Sequence, residues 1–152
     1  MKKKLCKKLL FLTTVLVFSY CEVNAKSFIS IKKVTTIANL RAGPGNWYPV
    51  KWVIKNPNLP LKILEENDTY YKVELHEGTK GWLSKTLVSK KRNLIVTKDA
   101  KLSSKDGATK ALVLRDYIIK KYNCDIKKIN YCKVKIDKTN GYIEKENLWG
   151  YE

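Results

Sequence analysis

Histidine is nearly absent from this chain of 152 residues, and its scarcity removes whole classes of chemistry. The single imidazole, His76, lies in "VELHEGTKG", where Glu77-Gly78 marks a hairpin turn, so it reads as a solvated turn residue. A zinc-dependent wall hydrolase needs a His-rich ligand set, which one histidine does not provide. A Cys–His peptidase needs a thiol activated by a neighbouring base. Of the four cysteines, Cys6 and Cys21 lie in the first 25 residues, leaving only Cys124 and Cys132 beyond them. Acidic residues are also few, 14 against 31 Lys and Arg. Glu65, Glu66, Asp68, Glu74 and Glu77 are numerous enough for a glycosidase pair. They fall in turns and on polar strand faces, however, with no apolar pocket in view to raise a pKa. The apolar run over residues 9–18 is about half of the ~20 residues a spanning helix needs. No enzyme, no cofactor and no metal centre is expected.

What the chain has in abundance is positive charge. Five lysines in the first eight residues precede the apolar run, and Val23-Asn24-Ala25 places small apolar residues at −3 and −1 of a cut after Ala25. That combination describes a secretory signal peptide over residues 1–25, and the expected location is the periplasm. A lipidated Cys21 is disfavoured, because "FSY" puts a bulky residue directly before it. The leader carries five Lys and one Glu, so its removal takes the formal charge from +17 to +13. Such a field favours anionic partners. Export removes nucleic acid as the default and leaves cell-wall polymer, lipopolysaccharide or an anionic membrane surface. In an oxidising compartment the even count of remaining cysteines favours a disulfide.

The sequence also repeats. "ANLRAGPGNWYPVKWVI" from Ala38 lies over "AKLSSKDGATKALVLRD" from Ala100, pairing Leu40 with Leu102, Gly45 with Gly107, Val50 with Leu112 and Trp52 with Leu114. After one gap, "TYYKVELHEGTKGWLSKTLVS" lies over "NYCKVKIDKTNGYIEKENLWG", pairing Tyr70 with Tyr131 and Gly81-Trp82-Leu83 with Gly141-Tyr142-Ile143. Two repeats follow, at 30–90 and 91–152. Period-two alternation in "LKIL", "YYKVEL", "KVKI" and "NLIV", with turn residues between the runs, predicts short strands and no long helix. The fold class is all-β: two tandem small β-barrels behind the leader. The alignment sets Cys124 over Ile63 and Cys132 over Tyr71, in runs joined by a turn. If those runs are antiparallel partners, the two cysteines face each other within bridging distance.

The stretch "RAGPGNWYP" is the most distinctive in the chain. A phosphate cradle needs glycines leading into a helix N-terminus, and Trp47-Tyr48-Pro49 starts no helix, so an irregular loop between strands is predicted. Leu40, Val50 and Trp52 are assigned to the fold, with Trp52 and Trp82 as core or half-exposed wall. Trp47, Tyr48 and Tyr70 lie in or beside loops and form a candidate ligand groove, the alternative being ordinary packing with a few exposed rings. Arg41 is placed either to pair with a ligand carboxylate or to tie the loop to an acid within the fold.

"NLRAGPGNWYPV…W", then "YYKV", "GTKGWL" and "LVS", resembles the bacterial SH3-like domain family. More specifically it is similar to a two-repeat periplasmic form found in proteobacteria, whose second repeat has a weaker motif, a cysteine pair and an ending like "ENLWGYE". Here "LSSKDG" lacks the Leu-Arg pair and the proline, and "GYI" replaces Gly-Trp-hydrophobic. The resemblance implies paired five-stranded SH3-like barrels acting as binding or targeting modules for cell wall or peptide ligands. The expected function is therefore a non-catalytic module engaging peptidoglycan or an extended peptide, the alternative being an assembly protein that docks another envelope protein.

Overall fold

The computed structural model describes residues 27–124 and 130–151. The leader, Cys21 and the cut after Ala25 lie outside the described residues. The first part of the chain forms β1 (Phe28–Ile31), β2 (Ala38–Arg41), β3 (Val50–Ile54), β4 (Pro60–Glu66), β5 (Tyr70–Glu74), β6 (Lys80–Ser84) and β7 (Val88–Ser89). The second forms β8 (Leu94–Val96), β9 (Ala100–Ser103), β10 (Thr109–Val113), β11 (Ile118–Ile119), β12 (Lys121–Asn123), β13 (Tyr131–Ile136), β14 (Thr139–Glu144) and β15 (Leu148–Trp149). Among the described residues the only helical pieces are single 3-10 turns at Lys85–Leu87 and Lys145–Asn147. The all-β expectation is met.

Alternation builds the interior. In β2, Ala38 and Leu40 are buried while Asn39 and Arg41 are not, and β9 and β13 follow the same rule. Two apolar clusters result. Leu40, Leu61, Val73 and Leu83 belong to the first, and Leu102, Ile119, Val134 and Ile143 to the second. We call the strands around them the first and second lobes. A Cβ on Gly81 would meet Leu40 Cγ at 2.6 Å, and one on Gly141 would meet Leu102 Cδ1 at 2.6 Å. The Gly-aromatic-aliphatic signature of each repeat thus keeps a gap for the leucine of the neighbouring strand.

The first lobe is one sheet in the order β3-β2-β6-β5-β4-β1-β7. The second divides into β10-β9-β14-β13-β12 and β11-β8-β15. Pairing explains the break. Leu61 opposite Ile29 corresponds to Ile119 opposite Leu94, and Lys62 opposite Glu74 to Lys121 opposite Lys135. Lys120 is therefore one residue extra, and it interrupts the strand that runs unbroken as β4. Among the described residues all three sheets run as open ladders, with no pairing between the end strands of any one of them.

The lobes share a seam. Ile95 of β8 belongs to the first cluster, while its neighbours Leu94 and Val96 belong to the second. Asn93 donates from its backbone N–H to Ser30 Oγ at 3.2 Å and from its side chain to Asn58 O at 2.7 Å. Trp149 of β15 packs edge-on to Phe28 of β1, with ring centroids 4.8 Å apart. At Gly150, where φ is +108°, a Cβ would meet Asn93 O at 2.6 Å. The terminal "LWG" is part of this seam.

The repeat alignment needs two corrections. Ile54 pairs with Ala38 as Val113 pairs with Ala100, and Trp52 pairs with Leu40 as Ala111 pairs with Leu102. Trp52 thus corresponds to Ala111 rather than Leu114, because the loop of residues 42–49 is three residues longer than that of 104–108. Likewise Tyr122 faces Val134 as Ile63 faces Val73, so the counterpart of Ile63 is Tyr122, and Cys124, first matched to Ile63, lies two places beyond it. The antiparallel reading of the cysteines holds. Cys124 and Cys132 form a disulfide at the end of the β12–β13 pair, with Cα atoms 4.4 Å apart.

Candidate functional site

The loop of residues 42–49 owes its shape to hydrogen bonds along its own backbone. Ala42 N–H donates to Pro49 O at 3.0 Å, Gly45 N–H to Gly43 O at 3.0 Å, and Tyr48 N–H to Gly45 O at 3.3 Å. Neither Gly43 nor Gly45 occupies the left-handed region. Their need is for space: a Cβ on Gly43 would lie 2.5 Å from the Tyr48 ring, and one on Gly45 would lie 2.6 Å from the Trp47 ring. The two rings fold back over the glycines and tilt against each other, centroids 5.8 Å apart. Pro44 stands between the two contacts.

Arg41 Nη1 donates to Tyr48 O at 2.7 Å. The arginine ties the loop to β2, as one of the two sequence readings held, but through a carbonyl instead of an acid. Tyr70 departs from expectation. It is only 8% exposed, its hydroxyl donates to Asn46 Oδ1 at 2.7 Å, and its backbone N–H is received by Asn67 Oδ1 at 2.7 Å. The ring is a prop beneath the loop, not a wall of a groove. Val50, expected in the fold, is exposed, and Trp52, read as core or half-exposed wall, takes the second role at 55% exposure. The bulge between Leu40 and Arg41 sets Val50 opposite Arg41 and so on its outward face. Trp52 stays opposite Leu40 and is open because β3 is an edge strand, with only Ile54 buried. The loop and β3 thus present exposed apolar side chains, Trp47 at 81% exposure, Tyr48, Val50, Trp52 and Val53, of which Trp47 and Tyr48 touch each other; we call this edge of the first lobe the ridge.

The second lobe has a concavity at the corresponding place, about 920 Å³, bounded by the loop of 104–107, Tyr131, Tyr142 and Glu144. Sequence reasoning placed a groove in the first repeat and missed this one; the shorter loop, visible once the gap is placed correctly, is its signal. Tyr131, the counterpart of Tyr70, has no long loop above it and is 41% exposed. Its hydroxyl donates to Glu144 Oε1 at 3.2 Å. That bond, with the nearby negative charge, raises the phenol above its ordinary value. At the rim, the Ser104 hydroxyl donates to Asp106 and holds its carboxyl below the ordinary range, helped by a backbone N–H and by Lys110. Lys98, Lys101 and Lys105 mix with Asp99, Asp106 and Glu146 around the opening, giving it no single sign.

His76 is not the solvated turn residue the sequence suggested. Its side chain is 9% exposed and lies between Glu77, Asp116 and the Trp149 ring, so partners from the second lobe bury it.

Residues 34–90 match the family model of the bacterial SH3 domain. The resemblance read from the first repeat therefore holds over that span. No curated protein matches the sequence. Among solved structures, the chain is similar to NlpC2 from Trichomonas vaginalis at 14% identity and a TM-score of 0.39, over 84% of this chain and 48% of that one. It is also similar to NlpC1 from Trichomonas vaginalis at 14% identity and a TM-score of 0.40, over 93% of this chain and 51% of that one. The chain spans about half the length of these solved structures.

Proposed function

We propose that the protein is a non-catalytic binding module of the bacterial envelope, exported by a leader cleaved after Ala25 and built of SH3-like repeats near 30–90 and 91–152. It engages cell-wall polymer or an extended peptide through the ridge of the first lobe. One observation carries the reading: Trp47 is 81% exposed, yet its ring is seated on Gly45 in a hydrogen-bonded loop. A large aromatic held rigidly in water adds little to the interior. Its conformational cost is already met before a ligand arrives, which favours binding. Flat aromatic faces suit sugar rings and the extended peptides that SH3-like grooves take.

Two further features agree with an envelope role. The Cys124–Cys132 disulfide suits an oxidising compartment. The charge of +17, or +13 without the leader, adds a long-range pull toward anionic envelope polymers. The test is a pull-down with purified sacculi. The double variant Trp47→Ala/Tyr48→Ala should lose retention while its circular dichroism spectrum stays native. Unchanged retention would remove the ridge assignment.

A second reading, docking of another envelope protein, draws on β3. It is an edge strand with exposed Val50, Trp52 and Val53, open to pairing with a strand from a partner. One dominant cross-linked protein partner, with no affinity for sacculi, would favour it.

A further inference from the structure

We propose that His76, Glu77 and Asp116 form a binding site for a divalent transition-metal ion of the zinc class at the seam between the lobes. Neither imidazole nitrogen of His76 has a hydrogen bond, although both are buried. A buried polar group without a partner is costly, and native structures resolve nearly all of them. Nε2 lies 3.2 Å from Asp116 Oδ1 and 3.7 Å from Glu77 Oε1, close to both acids but not aligned with either as a donor. The ligating atoms of all three residues lie within 4.8 Å of one another.

Those spacings suit a tetrahedral ion. With metal–ligand bonds of ~2.0–2.1 Å, adjacent corners of the tetrahedron are ~3.3 Å apart, and two of the three edges are already near that length. One imidazole and two carboxylates leave a fourth position for water, which the half-exposed acids keep open to solvent. Calcium and magnesium prefer six or more oxygens, so a nitrogen-bearing three-ligand set selects against them.

The surroundings hold the ligands in place. Asp116 has φ of 67°, and its N–H donates to Val96 O at 2.8 Å, fixing the turn that aims its carboxylate at the first lobe. Arg115 Nε stands 3.7 Å from Oδ2, leaving Oδ1 toward His76. The Trp149 ring backs the imidazole at 6.3 Å. Only 14 acids are present against 31 basic residues, and two of them flank the sole histidine. An ion here would join the β5–β6 turn of the first lobe to the turn before β11 of the second.

The test uses the folded full chain, stripped with a chelator and treated with an alkylating agent so that Cys6 and Cys21 of the leader do not compete for metal. Titration with Zn(II) in a calorimeter should show one ion per chain, and His76→Gln and Asp116→Asn should each weaken binding at least ten-fold. Co(II) should give the intense visible absorption of a four-coordinate site, lost in both variants, and Ca(II) should give no binding heat. If His76→Gln does not fold, Asp116→Asn still decides, since Asn tolerates a left-handed backbone. No Zn(II) binding, or equal affinity in wild type and Asp116→Asn, would overturn the proposal. So would Ca(II) binding as strong as Zn(II).

Discussion

Above Tyr70 in the first lobe, residues 42–49 form a braced loop that carries Trp47 and Tyr48 into solvent. Above its counterpart Tyr131 in the second, the loop is three residues shorter, and the same place is an open concavity rimmed by both charge signs. The interiors beneath are alike: Leu40 against Gly81 in one, Leu102 against Gly141 in the other. Repetition has kept what the fold requires and released what lies above it. Three residues convert a recess into a ridge, so loop length decides which surface each lobe offers.

The strongest challenge to the likeness of the interiors is truncation of the paired leucines. Leu40→Ala and Leu102→Ala should each cost about 2–5 kcal/mol in urea unfolding, as for fully buried leucines elsewhere. A loss below about 1 kcal/mol at only one of them would break the correspondence. Next in size is the disulfide, which only the second lobe has. Replacing both Cys124 and Cys132 with Ser should lower stability by about 2–3 kcal/mol, as the entropy of a loop this short gives. In hydrogen exchange the loss of protection should concentrate in β12 and β13 and spare β5 and β6.

A smaller effect on stability, but a large one on binding, is expected at Gly45. Gly45→Ala drives a methyl into the Trp47 ring. It should reduce sacculus binding about as much as Trp47→Ala, while stability moves by only ~0.5 kcal/mol, because the displaced ring is mostly in solvent. Full binding with the ring displaced would show that its seat on the loop does not matter.

The smallest effect is at the rim of the second lobe. The Asp106 carboxyl is held below its ordinary value in the folded chain, chiefly by the Ser104 hydroxyl. Its contribution is therefore present above the unfolded carboxylate pKa and is lost as pH falls through the lower folded value. An NMR titration should place the Asp106 midpoint below ~3.9, and Ser104→Ala should move it back up.

Much of the framework was legible because alternation and turn chemistry are local. Ala38 and Leu40 declare a buried strand face, and the spacing of Cys124 and Cys132 suits facing positions across a hairpin. The errors share another cause. Val50 looked like strand interior, but a bulge sets it opposite the outward-facing Arg41 on an edge strand. Tyr70 looked like loop surface, but Asn46, far away in sequence, covers it. His76 sits in a true hairpin turn, and only packing against Asp116 and Trp149 of the other lobe buries it. In each case the deciding contact comes from a distant segment or from a register that alternation alone does not set.

The central claim is that the ridge, rather than the charge or the second-lobe concavity, provides the specific contact. Binding isotherms on purified sacculi at low and high salt test it directly, comparing wild type, Trp47→Ala/Tyr48→Ala and Lys101→Ala/Lys105→Ala. Salt screens surface charge and leaves stacked aromatic contacts largely intact. The account predicts salt-resistant binding that survives the lysine changes and disappears with the aromatic pair. Binding that vanishes at high salt, or that follows the lysines and ignores the aromatic pair, would contradict it.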